Sequence, residues 1–87
     1  MTIRLPRQFG FTLRSEFKQA TMGNPPKSKY LLDFQEVEKM DSSALGMLLL
    51  LRETSGGTTA DITLVNVRAE IRKLLVLANF QTLFSIR

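Results

Sequence analysis

Apolar positions along this chain follow two rhythms, one of period two and one close to 3.6, and they alternate from one end to the other. The stretch "TIRLP" (2–6) switches between polar and apolar and halts at Pro6, the pattern of a short edge strand. In "FTLRSEFKQATMG" (11–23), Leu13, Phe17 and Ala20 stand at helical spacing, with Thr12 as N-cap and Gly23 as stop. "NPPKSK" (24–29) is a loop, because adjacent prolines neither continue a helix nor pair centrally in a sheet. "YLLDF" (30–34) is a nearly continuous apolar run, as in a strand covered on both faces.

Val37 and Met40 carry apolar contacts toward a helix predicted over 43–53, and "TSGGTTA" (54–60) is a turn that closes it. "DITLVNV" (61–67) reads as a second buried strand. Ile71, Leu74, Leu75 and Ala78 then follow the i, i+3, i+4, i+7 rule in a helix over 66–80 that Asn66 can cap. "TLFSI" (82–86) is a last short strand or extended tail. Strands alternating with helices imply right-handed crossovers and a partly parallel sheet. The expected architecture is one α/β domain over 1–87, with an approximately four-stranded mixed sheet packed with three helices.

Composition narrows the function. Eighty-seven residues make one domain, and a chain of this size buries roughly 60–65% of its unfolded surface. At 44% hydrophobic and 23% charged it matches ordinary globular proteins. It has neither cysteine nor histidine, so no disulfide, usual zinc site or histidine-activated nucleophile is expected, and no cofactor. No segment approaches the ~20 apolar residues of a membrane span, and "MTIRLPRQFG" lacks a secretory apolar region. Those features imply a cytoplasmic protein without membrane insertion. The net charge of +4 permits an acidic partner, but the basic residues are scattered from Arg4 to Arg87 among eight acids. One tyrosine, no tryptophan and no basic–aromatic interleaving argue against nucleic acid.

The stretch "MDSSALGMLLLLRE" (40–53) carries the most chemistry. Either Asp41 or Ser42 can cap the helix, since both side chains accept from free N–H groups at a helix start. Leu45, Leu48 and Leu49 fill the expected sheet face, and Met47, Leu50 and Leu51 extend the apolar surface round the cylinder. Such a surplus is either covered by neighbouring helices or left as an exposed patch for a protein partner. Gly46 implies close approach by something, because glycine inside a helix costs about 1 kcal/mol relative to alanine. A phosphate on a serine at a helix start brings about −1.5 to −2 charges that the dipole favours, while a docked apolar surface repels them.

"YLLDFQEVEKMDSSALGMLLLLRE" resembles the signature of STAS domains, the family named for sulfate transporters and anti-sigma factor antagonists. Asp33, Val37, Asp41, Ser42, Ser43, Leu45 and Gly46 fit its pattern of strand, aspartate, spacer and Asp-Ser-Ser/Thr-Gly-Leu-Gly helix start. "ANFQTLFSI" resembles the family's C-terminal ending. The resemblance implies a STAS-like fold shortened at the N-terminus, where members usually have two strands and a Gly-Glu-Leu/Ile-Asp segment. Ala44 replaces the glycine that usually follows the two serines.

Functionally, the resemblance implies a regulatory protein-binding module and not an enzyme. It is that of an anti-sigma factor antagonist, phosphorylated by a partner anti-sigma factor that is also a serine kinase and reset by a metal-dependent serine phosphatase. Carried over by position, Ser42 is the phospho-acceptor and Ser43 the second choice, with Asp41, Ser43, Ala44, Gly46, Met47 and Leu50 as the partner surface. The alternative is a constitutive STAS subunit of a phospholipid-transport ABC complex. Self-association as a homodimer stays open. "SGG" (55–57) lacks the Gly-Lys-Ser/Thr of a phosphate-cradling loop, and Asp33 with Asp41 is more simply a capping and loop pair than an acid/base pair.

Overall fold

The structure, a computed structural model, describes residues 1–21 and 28–87. Strands β1 (Thr2–Arg4) and β2 (Gln8–Phe9) precede helix α1 (Arg14–Thr21), and β3 (Lys29–Asp33) and β4 (Lys39–Met40) precede α2 (Ser42–Thr54). Next come β5 (Asp61–Val65), α3 (Ala69–Leu77) and β6 (Ser85–Ile86). Single 3-10 turns occupy Phe11–Leu13, Gly57–Thr59 and Phe80–Thr82.

The main sheet has the order β1-β3-β5-β6, and every neighbouring pair is parallel, where the sequence suggested a mixed sheet. Each connection is a strand–helix–strand crossover, which returns the chain in the direction it left. Before α1 there are two strands, where one was expected: β2 pairs in parallel with β4 in a small second sheet. Leu5 N–H donates to the Asp33 carbonyl and Glu38 N–H to the Arg7 carbonyl, so backbone bonds link the same two chain segments on either side of Pro6, where the main sheet gives way to the small one.

Strand order in space follows strand order in sequence. Crossovers of one hand that always step the same way put all their helices on one face. The burial pattern agrees: Ile3, Leu32, Leu64 and Ile86 lie in one register row, Tyr30 and Ile62 in the next, and all point into the core. Leu31, between Tyr30 and Leu32, is 39% exposed. The strand over 30–34 is therefore covered on one face and not on both. Phe9 anchors the N-terminal segment in this core, edge-on to Phe34 with centroids 5.8 Å apart and 5.6 Å from Phe17.

The helices differ from expectation at their ends. Thr12 lies inside a 3-10 turn that makes no side-chain cap, and α1 starts two residues later. The expected stop at Gly23 and the prolines of the following loop lie outside the described residues. Asn66 does not cap α3; it adopts the left-handed conformation at φ 57 and turns its amide elsewhere. The turn after α2 uses Gly56 and Gly57 at φ 117 and 59, as its composition implied.

Candidate functional site

The site forms where the sequence placed it, at the start of α2, and three segments build it. Asp41 is the N-cap: its Oδ1 accepts from Ala44 N–H at 3.2 Å. Its Oδ2 accepts from Phe11 N–H at 3.1 Å, and its own N–H donates to the Phe9 carbonyl at 3.4 Å. One carboxylate thus caps α2 and ties it to the segment between β2 and α1. Gly10 makes room for it, since a Cβ there would lie 2.3 Å from Oδ2. Sequence reasoning missed Gly10; its signal is a glycine between two phenylalanines before a helix, but its partner lies on a distant segment.

With the cap assigned to Asp41, Ser42 has no structural duty. It is exposed, and its hydroxyl bonds to no described residue. Ser43 is half-buried on the side of α2 that faces α1. The backbone N–H groups of both serines belong to the first turn, where no intrahelical acceptor exists. The partial positive charge of a helix start therefore lies under an unengaged hydroxyl.

The buried face of α2 is Ala44, Met47, Leu48 and Leu51, rotated from the expected Leu45, Leu48 and Leu49. Ala44 is 0% exposed, so it is core and not partner surface, and its small side chain fits the helix against the sheet. Met47 is also in the core, at 7% exposure. The accessible apolar residues are Leu49 and Leu50, with Gly46 open beside them: nothing lies within 4 Å of a Cβ at Gly46. Of the six residues expected to meet a partner, Asp41, Ser43, Gly46 and Leu50 remain available to one.

Asp33 and Asp41 belong to separate networks, not to a carboxylate pair. Asp33 Oδ1 accepts from Asn66 Nδ2 at 3.0 Å and from Gln35 N–H at 2.9 Å, and Arg4 Nε lies 3.8 Å from Oδ2. The Asn66 amide, then the Gln35 N–H, hold its carboxyl below the usual range; Arg4 adds to this, and desolvation works against it. Glu38 is lowered likewise by its hydrogen bond and ion pair with Arg7. Both networks tie together segments that follow strands of the main sheet: Arg7 after β1, Gln35 and Glu38 after β3, and Asn66 after β5. Arg68, Arg72 and Lys73 are exposed, and Arg68 donates to the Gln35 carbonyl at 3.2 Å. Among the described residues no group of three potential metal ligands occurs, and no helix is long and apolar enough to cross a membrane.

A capped apolar helix after a strand ending in aspartate, on a singly wound sheet, can be compared with known families. The family model described as "Mlab, STAS domain" matches residues 7–85. This chain is a STAS domain. A STAS-domain containing protein of Pseudomonas aeruginosa (strain UCBPP-PA14) is 41% identical over 88 residues, covering 99% of this chain and 86% of that protein. STAS domains are protein-interaction modules, and this one presents the family's helix start with Ser42 exposed and Ser43 half-buried toward α1.

Proposed function

We propose that this STAS domain is a regulatory docking module of the anti-sigma factor antagonist kind, switched by phosphorylation of Ser42 by a partner anti-sigma kinase and reset by a serine phosphatase. One observation carries the reading: Ser42 is exposed and unengaged at a helix start whose cap is supplied entirely by Asp41. Phosphorylation there breaks no bond of the fold. The added charge of about −1.5 to −2 meets the free N–H groups and the dipole of α2. A partner resting on Gly46, Leu49 and Leu50 has to desolvate that charge, which costs several kcal/mol. The scaffold survives and the complex separates.

The test is co-expression with candidate anti-sigma kinases, read on a phosphate-affinity gel. The expected result is a shifted band that Ser42→Ala abolishes and Ser43→Ala keeps. A shift that persists in Ser42→Ala, or none with any kinase that binds the domain, overturns the reading. A second reading, the alternative that the resemblance leaves open, is a constitutive subunit docked on the ATPase of a phospholipid-transport ABC complex; the matching family model is described as "Mlab, STAS domain". In that case Ser42→Asp leaves co-purification with the ATPase unchanged.

A further inference from the structure

A groove of about 820 Å³ runs along the outside of the helix layer between α1 and α2, within the size range of small-molecule sites. Both helices start at the carboxyl ends of parallel strands, so they run side by side in the same direction. Arg14 and Ser43 mark one end of the groove, and Thr54 and Ser55 the other. The floor is Phe17, Tyr30 and Met47, each no more than 7% exposed and continuous with the core.

The walls are less polar than their composition suggests. The hydroxyls of Thr21 and Thr54 donate back to the Phe17 and Leu50 carbonyls, each at 3.0 Å, so they are engaged within their own helices. The charged groups among the described lining residues are Arg14 and Lys18, one turn apart on α1; Glu16 stands between them in sequence but does not line the groove. Gly46 leaves the middle of the α2 wall without a side chain. From Ser43 to Thr54 the α2 wall is about 16 Å long at 1.5 Å per residue.

We propose that this groove binds a single-chain fatty acid. The carboxylate pairs with Arg14 and Lys18, and the chain passes Gly46 over Met47 and Phe17 toward Leu50. One anionic end and one long apolar stretch match the lining. A peptide helix, by contrast, would bring polar groups to both walls and meet cations on one of them only. The inference stands apart from the Ser42 switch and does not need it.

The test is a fluorescence titration of the full chain with dansyl-labelled undecanoate below its critical micelle concentration. Saturable one-to-one binding is expected, displaced by laurate and far less by the uncharged dodecanol or the short caproate. The double substitution Arg14→Glu with Lys18→Glu weakens binding roughly tenfold, as the loss of two exposed charge pairs implies. Gly46→Leu fills open space and improves helix propensity, so it holds or raises the thermal midpoint while abolishing probe binding. No saturation, equal displacement by dodecanol, or full binding by Gly46→Leu overturns the proposal. So does an acidic amphipathic peptide that saturates the groove where the fatty acid does not.

Discussion

The carboxylate of Asp41 occupies the space that a side chain on Gly10 would need, 2.3 Å from where its Cβ would stand. The distance is far inside van der Waals contact, and the position is backed by Phe9 in the core. Gly10→Ala therefore displaces Asp41 from Phe11 N–H and Ala44 N–H together. We expect a loss of about 1–3 kcal/mol in urea unfolding. Because Asp41→Ala removes the same bonds, the double variant should cost little more than either alone. Additive losses would show that the two residues act separately.

The capping assignment separates neighbouring residues. Asp41→Ala should cost about 0.5–2 kcal/mol, the usual value of a lost N-cap, whereas Ser42→Ala should stay within about 0.5 kcal/mol. Ser42→Asp should leave the far-UV circular dichroism spectrum unchanged while it weakens partner binding. Equal losses for the two alanine variants would return the cap to Ser42.

The two sides of α2 give a packing test. Leu48 is 0% exposed, and Leu48→Ala should cost about 2–5 kcal/mol by chemical denaturation. Leu50 is 56% exposed, and Leu50→Ala should stay within about 0.5 kcal/mol and act on partner or ligand binding instead.

Acid stability reports on Asp33. Its folded-state pKa lies below the unfolded value, first through the Asn66 amide and then through Gln35 N–H. The unfolded state therefore binds the proton first. This stabilisation is complete above the unfolded value and is lost as the pH falls below about 4 and through the folded one. Glu38 adds to the same acid limb through Arg7. Asn66→Ala should make stability fall less steeply below that pH, measured as urea midpoints across an acid series. An unchanged slope would remove Asn66 as the cause.

Much of the fold was legible because its signals are local. Asp-Ser-Ser before a leucine run marks the start of α2, and Gly56 and Gly57 mark its exit. What stayed hidden depends on contacts between distant segments. Four consecutive leucines look alike from every side, so periodicity could not choose the buried face; Ala44 and Met47, set against the sheet, decided it. Leu31 read as buried because an apolar run does not state which way the next crossover steps. Asn66 read as a cap because it lies just before α3, but β3 and β5 are neighbours, and its amide reaches Asp33 instead. At the candidate site, Ser42 and Gly46 were legible from the motif, while Gly10 and the basic side of α1 emerged only when the chain folded.

The strand order has a bearing on how the chain assembles. In the main sheet each strand after β1 docks on the sheet strand laid down before it, so every strand–helix unit finds its neighbour already in place as synthesis proceeds. No strand has to wait for a later one to be inserted between it and its partner. The sheet grows by accretion, with β1 as the founding edge and β6 as the finishing one.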